Sequence, residues 1–390
     1  MTNAGGVFSW IDGTIGGAGN LSFTNGSSFN FAGTGDRVID GLNFAFSNLT
    51  LPNGSLTLKS GSLTLNGTTT LPTGVELNLE GGTLSNNGPM SVAGSFSLLG
   101  GAFGGSGALS MNGGSMSLPA SNSVAWSNTG ALTNTGTLNL AGTNITNAVD
   151  NQGTINLGAG LSFAQPLTNN GTLVAQSGST TTFAGGLTQN NGGIVQFNGG
   201  AINGQVTISN GTISGTGTIN GNLVVGTATL APGFSPGTIT ITGNLVLSGA
   251  SVLNVELGGL VQGTEYDWLN VQGSAALAGT LNVNNYAGFV PPAGSSYNFM
   301  SFASKTGNFA TVNLNALPNL VYSGSAIALT LTQGGAVPVP LPMPVPLSVP
   351  IASPVVAIEE RLSTVAKLVA EIKAEPDPKK DREPELEACP

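Results

Sequence analysis

A short phrase of Asn, Gly and Thr followed by alternating apolar residues recurs along this chain and constrains its fold more than any other feature. Clear copies begin at Asn134, Asn151, Asn169 and Asn190, about 17 to 21 residues apart. Asn and Gly favour a turn, where Gly supplies positive φ, and the following alternation predicts a short strand with one apolar face. A strand of this length cannot bury that face alone. The repeat therefore predicts stacked coils, a β-solenoid.

A second phrase, rich in Gly, supports the same fold. Residues 13–21, 101–109 and 211–219 share one spacing of glycines and apolar residues. Because Gly permits sharp bends of the backbone, we interpret the phrase as a recurring corner of the coil. None of these runs completes Gly-x-Gly-x-x-Gly, and the chain has no Gly-Lys-Ser/Thr, so we do not expect a phosphate-binding loop.

The composition excludes several classes of function. Only 7% of the residues are charged, and the net charge of −9 arises without a basic stripe, so nucleic-acid binding is not expected. His is absent and Cys389 is the single cysteine, which excludes metal sites built on His or Cys and nucleophiles activated by His. We expect no cofactor. No apolar run approaches the roughly 20 residues of a membrane-spanning helix, so we expect no transmembrane segment.

From about Gly211 the pattern becomes specific enough to resemble a known family. Strand and turn phrases follow one another at 215–223, 230–239, 243–247, 253–257, 266–271, 277–283, 296–300, 307–312 and 328–331. This succession resembles the C-terminal end of passenger domains in bacterial autotransporters and of filamentous-haemagglutinin-like exoproteins. The resemblance implies an all-β, right-handed parallel β-helix whose closing coils help to nucleate folding after secretion. It also implies a location outside the cell, or on the outer surface, of a Gram-negative bacterium.

The chain departs from the autotransporter pattern at both ends. A membrane β-barrel of roughly a dozen strands would follow such a passenger, and nothing of that kind follows Gln333. The chain therefore more closely resembles an exoprotein exported through a separate outer-membrane pore, or a passenger cut from its barrel. The first residues carry no signal peptide and the repeat is running by Trp10, so we expect that Met1 is not the natural beginning.

Composition divides the chain into five segments. We predict β-helix coils over 1–209, a closing and capping part over 210–335, a Pro-rich linker over 336–354, an amphipathic helix over 355–374 and a disordered charged tail over 375–390. Prolines at nearly every second position of the linker favour an extended polyproline II conformation. The tail is charged and broken by Pro.

The predicted helix carries one apolar seam, formed by Ile358, Leu362, Val365, Val369 and Ile372. Two heptads are fewer than a coiled coil requires, so two interpretations stay open: a lone amphipathic helix, and self-association or docking to a partner. Cys389 is a candidate tether through an intermolecular disulfide, and an incidental thiol is the alternative.

Enzymes that cleave polysaccharides also use β-helices, and they need clustered carboxylates with a nearby cation. The best candidate is the acidic site of Asp36, Arg37 and Asp40, the only place before the tail where both signs of charge occur together. The structural alternative, which we favour, is an edge turn with a solvated ion pair.

A second charged group contains Glu256, Glu265 and Asp267. We interpret it as an exposed turn of the closing coils, in which Asp267 bonds neighbouring backbone N–H groups.

Two further residue types give weaker indications. Trp10, Trp126, Tyr266 and Trp268 are candidates for stacking on sugars, and burial in the core is the alternative. Asn-x-Ser/Thr, the acceptor sequence for glycosylation, is frequent in this sequence and is expected by chance in such a chain. Such positions include Asn48, Asn53, Asn66, Asn144, Asn170 and Asn210.

Together these features predict a secreted bacterial surface adhesin or surface-structure component rather than an enzyme. Rows of Thr, Ser and Asn along a rod would contact host cells, matrix or glycans through many weak interactions. A polysaccharide lyase or hydrolase is the first alternative. A ligand-free structural spacer of a larger exoprotein is the second.

Overall fold

The computed structural model describes residues 7–21, 28–120, 124–314 and 319–330. The strands of these residues stack as parallel turns of a β-helix, which confirms the predicted fold class. None of the described residues forms a helix long and apolar enough to cross a membrane. The Pro-rich linker 336–354, the predicted helix with its seam from Ile358 to Ile372, and the tail with Cys389 lie outside the described residues.

Each turn of the coil contributes a strand to each of three faces, so that a strand commonly pairs with the one three places further along the chain. Thr137–Leu140, for example, pairs in parallel with Thr154–Leu157. The strands confined to face 1 are Ser55–Leu58, Glu76–Leu79, Ser95–Leu98, Ser115–Leu118, Thr137–Leu140, Thr154–Leu157, Thr172–Ala175, Val252–Leu257, Thr280–Asn285 and Thr311–Leu314. Those of face 2 are Ser62–Leu65, Thr83–Asn86, Ala102–Gly104, Ala125–Trp126, Asn144–Ile145, Leu161–Phe163, Thr180–Phe183, Thr238–Ile241, Trp268–Val271 and Ser296–Ser301. Those of face 3 are Leu49–Thr50, Thr69–Leu71, Met90–Val92, Leu109–Met111, Leu132–Asn134, Val149–Asn151, Leu167–Asn169, Leu187–Gln189, Leu245–Leu247, Ser274–Leu277 and Ser304–Gly307.

Longer strands bend around the corners of the coil and belong to more than one face. They are Gly13–Leu21, Asp36–Phe46, Ile194–Asn203, Val206–Asn220 and Leu223–Pro232. The Gly-rich phrases 13–21 and 211–219 lie at the corner between faces 1 and 2, whereas 101–109 runs from face 2 to face 3. The phrase therefore marks corners, but not one recurring corner. The predicted boundary between 209 and 210 falls inside the strand Val206–Asn220, and the stacking continues across it.

The two ends of the stack are built differently. At the N-terminal end, Val7–Trp10 pairs in parallel with Ser28–Phe31. At the C-terminal end, Ala326–Thr330 pairs antiparallel with both Ser296–Ser301 and Asn319–Tyr322. This reversal of strand direction covers the last edge of face 2 with a hairpin, the kind of device that stops a sheet from adding further strands. It forms the predicted C-terminal cap.

Alternate side chains of all three faces point inward and form one continuous apolar core. On face 1, Leu138, Ile155 and Leu173 lie in register on successive coils and are fully buried. On face 2, the rings of Phe163 and Phe183 stack with their centroids 5.0 Å apart. Each coil thus buries the apolar residues of its neighbours, which a single coil could not do.

The repeated phrase forms the corner between face 3 and face 1, and its glycines are required by the contact between coils. A Cβ atom at Gly153 would overlap the carbonyl oxygen of Gly136, and one at Gly171 would overlap that of Gly153. None of these three glycines has a positive φ. The expectation that the phrase uses Gly for a left-handed turn is therefore wrong at these positions, because the backbones approach too closely for any side chain.

The Asn that begins each phrase points into the rod and forms an interior amide ladder. Asn134, Asn151, Asn169 and Gln189 are fully buried at the last position of successive face 3 strands. Asn134 Nδ2 donates to Asn151 Oδ1 at 2.7 Å, and Asn151 Nδ2 donates to Asn169 Oδ1 at 2.7 Å. The fourth copy begins at Gln189 rather than at Asn190, because Gln189 is the residue that stacks on Asn169.

Candidate functional site

Polar side chains cover the outside of the rod in columns that run along its axis. In each column, polar side chains of successive coils bond to one another, and all of them are amides or hydroxyls except the carboxyl group of Asp150. The columns include Asn139–Asn156–Gln176, Asp150–Asn170–Asn191, Thr182–Asn203–Asn220 and Asn254–Asn282–Asn313. Members at paired positions of neighbouring strands, such as Asn139 and Asn156, are spaced by the distance between strands, about 4.8 Å. We call these rows the outer polar columns.

The outer polar columns offer an array of hydrogen-bond donors and acceptors, most of them amides and hydroxyls. Asn156 Nδ2 donates to Asn139 Oδ1 at 2.7 Å, and both side chains stay partly exposed. A side chain held by its column loses little rotamer entropy when a ligand binds, which favours weak contacts repeated along the rod. Among the described residues, no group of three or more His, Cys, Asp or Glu side chains is arranged to hold a metal ion.

The structure does not bring Asp36, Arg37 and Asp40 together on one face. They occupy the strand Asp36–Phe46, so alternate residues point in opposite directions. Asp36 and Asp40 are exposed and accept hydrogen bonds from Ser55 Oγ and Ser60 Oγ at 2.8 and 2.6 Å. Arg37 is fully buried. The expected edge turn with a solvated ion pair is therefore wrong, because the segment is a strand with its cation inside.

Arg37 acts as an interior link between coils at the N-terminal end. Its guanidinium donates to the backbone carbonyls of Trp10, Asn53, Ala32 and Gly33 at 3.1, 2.9, 2.6 and 3.0 Å. Its Cζ lies 5.6 Å from the centroid of the Phe31 ring, within reach of a cation–π interaction. Burial lowers the pKa of Arg37, and the charges of Asp12 and Asp36 act in the opposite direction.

The second charged group, Glu256, Glu265 and Asp267, also contains both exposed and buried side chains. Glu265 is exposed in a turn, as expected, and its Oε2 accepts bonds from Leu260 N and Val261 N at 2.8 and 3.0 Å. Asp267 is only 1% exposed, so the expectation of an exposed turn is wrong for this residue. Its carboxyl group nevertheless bonds backbone N–H groups as predicted. Those donors are Gly237 N and Glu256 N, both at 2.8 Å.

Burial raises the pKa of Asp267 to about 8 from its ordinary value of 3.8. The two backbone N–H donors favour the ionised form and limit the shift, and the neighbouring Glu256 carboxyl group adds to it. Burial also raises the pKa of Glu256. In the folded protein, therefore, the carboxyl group of Asp267 is mostly protonated at neutral pH.

We expect this proton to make the stability of the closing coils depend on pH. Between about pH 4 and pH 8 the folded chain binds more protons at Asp267 than the unfolded chain. The stabilisation is thus complete at low pH and is lost as the pH rises through about 8. In Asp267→Asn this dependence should disappear and leave only the contribution of Glu256, whose pKa is also raised by burial. Urea midpoints measured from pH 5 to pH 9 test this, and parallel profiles for parent and variant would contradict it.

The aromatic residues considered for sugar stacking are mostly inside the rod. Trp10, Trp126 and Tyr266 are 4%, 7% and 6% exposed. Trp268 is half-buried and its Nε1 donates to Ser301 Oγ at 3.2 Å. These positions support core packing rather than an aromatic platform.

The Asn-x-Ser/Thr positions named above lie at the surface. Asn170 is half-buried in an outer polar column, and the others are exposed.

Comparison of the chain with protein-family models and with curated proteins gives no match.

Proposed function

We propose that this chain is a secreted bacterial surface adhesin or surface-structure component that binds through multivalent contacts along its β-helical rod. The observation that carries the proposal is the set of outer polar columns, which repeat the same amide and hydroxyl groups at the spacing of the coils. One such contact is weak, but an array of them on one rigid support gives avidity. Host-cell surfaces, matrix and glycans carry complementary hydroxyl and amide groups.

The location is part of the proposal. The resemblance of residues 211–333 to passenger and exoprotein ends supports export through a separate outer-membrane pore to the surface of a Gram-negative bacterium. The alternative of a polysaccharide lyase or hydrolase depended on Asp36, Arg37 and Asp40 as one cluster. Arg37 points into the rod while the two carboxylates point outward, so these residues do not form the cluster of carboxylates and a cation that such an enzyme needs.

A solid-phase assay on the full chain tests the proposal. We expect binding to coated collagen, laminin, mucin or cultured epithelial cells to rise more steeply than linearly with the surface density of the chain, as avidity requires. A variant with Asn139→Ala, Asn156→Ala and Gln176→Ala removes one outer polar column and should bind more weakly. The control Gln165→Ala removes an exposed amide outside the columns named above and should bind like the parent. Background binding at every density would contradict an adhesin and favour a ligand-free spacer.

A further inference from the structure

Three successive loops occupy the corner between faces 1 and 2 near the C-terminal end of the rod, and the second and third are longer than any corresponding turn upstream. They span 233–237, 258–267 and 286–295, whereas the same corner near the middle of the rod needs only residues 158–160. Their placement on consecutive coils follows from the pairing of the flanking strands, such as Thr238–Ile241 with Trp268–Val271. The loops therefore lie beside one another near the C-terminal end of the stack.

These loops bring several large exposed apolar side chains together, whereas those elsewhere on the rod, such as Val7 and Val246, lie on separate elements. The exposed residues are Phe234 at 61%, Leu260 at 59%, Val261 at 54%, Tyr286 at 40% and Val290 at 64%. We call this set the corner patch. An isolated exposed apolar residue needs no explanation, but a group on adjacent loops is typical of an interaction surface.

Direct contacts show that the loops are neighbours in space. Gly258, in the second loop, lies close to a side chain of each of the other two loops. A Cβ atom at Gly258 would be 3.1 Å from Cδ1 of Tyr286 in the third loop and 3.4 Å from Cγ of Pro236 in the first. Tyr286 N also donates to Leu257 O at 2.7 Å. The corner patch is thus assembled from three coils rather than from one loop.

The loops are also held in place from within. Glu265 bonds the backbone N–H groups of Leu260 and Val261, and Gly258 N donates to Glu265 O at 2.6 Å. Asp267 joins the first loop to the second through Gly237 N and Glu256 N. Apolar side chains on a backbone fixed in this way cannot collapse onto the core, and a preorganised surface pays less entropy on binding.

The charge around the corner patch indicates what kind of partner it fits. Glu265 is exposed and Glu256 is half-buried, and the sequence has no Lys, Arg or His between Lys59 and Lys305. An anionic membrane would be repelled, and the corner patch of a second copy carries no cation to pair with Glu265. A segment with both apolar and basic side chains satisfies the apolar residues and the carboxylates together.

We propose that the corner patch is a docking site for a partner protein, through a segment that combines aliphatic or aromatic side chains with Lys or Arg. This site is separate from the outer polar columns and takes a different chemistry. It places one directional contact near the C-terminal end of the rod.

Two synthetic amphipathic peptides that differ only in charge test the proposal with the full chain. One alternates Leu with Lys, and the other alternates Leu with Glu. Calorimetry should show the Leu/Lys peptide binding at least tenfold more tightly. Phe234→Ser, Leu260→Ser and Val290→Ser together should weaken that binding at least tenfold. Glu265→Gln, which keeps an acceptor for the loop N–H groups, should weaken it and reduce its salt dependence.

Val7→Ser with Val246→Ser is the matched control, since both valines are exposed, at 66% and 42%, away from the corner. It should bind the Leu/Lys peptide like the parent. Equal affinity for the two peptides, or equal affinity of parent and loop variant, would overturn the proposal. Concentration-dependent self-association of the parent that the loop variant abolishes would overturn it too, because the occupant would then be a second copy. Each result leaves the solid-phase assay of the outer polar columns unaffected.

Discussion

Replacing Asn151 by Leu should destabilise the central coils by roughly 3–5 kcal/mol, although the two side chains have similar volumes. Asn151 Nδ2 donates to Asn169 Oδ1, Thr172 O and Gly153 O, at 2.7, 3.1 and 3.2 Å. Leu supplies no donor, so Asn169 Oδ1 and Thr172 O lose this partner in a dry interior at about 1–3 kcal/mol each, whereas Gly153 O keeps the backbone N–H of Thr172 as a donor at 2.8 Å. Urea unfolding combined with hydrogen exchange over residues 132–175 measures the loss.

Asn156→Leu is the control, because it removes the same amide from an outer polar column. Asn156 is half-exposed, so water can replace its bonds to Asn139 and Gln176, and we expect a change within about 1 kcal/mol. Hydrogen exchange is needed beside the urea midpoint because coils of a solenoid can open separately. Equal losses in the free energy of unfolding for the two substitutions would show that the interior amide ladder stabilises the rod no more than an outer polar column does.

Strand alternation predicts the coil from the sequence, and the same alternation locates the buried polar groups. Asn134, Arg37 and Asp267 each lie two positions from an inward apolar residue of the same or the following strand, so a period of two places all three inside. The chemical type of these residues, taken without their position in the strand, predicts turns or ion pairs instead. The period of the strand carries the stronger information, because one face of every strand is buried.

Other features could not be obtained from the sequence. Gln189 replaces Asn at the head of the fourth phrase, and only the pairing of Asn169 with Gln189 fixes that register. The corner patch has no periodic signal, because its residues lie in loops of unequal length on different coils. Loop residues such as Phe234 and Tyr286 become neighbours only after the coils have stacked. Alternation therefore predicts the rod and its interior, but not the irregular surface built at its corners.

Replacing Arg37 by Met should open the N-terminal coils while the centre of the rod stays folded. Arg37 donates to four backbone carbonyls on three segments of the chain, and only Trp10 O also accepts a bond from a backbone N–H, that of Ala32, among the described residues. Met fills the space but donates nothing, so the loss should be roughly 3–5 kcal/mol for this end. Hydrogen exchange should rise across residues 7–58 and stay unchanged across residues 137–157.

Two further substitutions separate the hydrogen bonds of Arg37 from its charge. Lys59→Met removes an exposed cation near the same end and should change stability by less than about 0.5 kcal/mol. Arg37→Lys keeps the charge but has one ammonium group in place of a planar fork, so it cannot reach all four carbonyls and should rescue little of the loss. Full rescue by Lys would mean that the buried charge, rather than the pattern of donors, holds these coils together. A rise in exchange along the whole rod would mean that the coils unfold as one unit, and that the stabilisation by Arg37 is not confined to its own end.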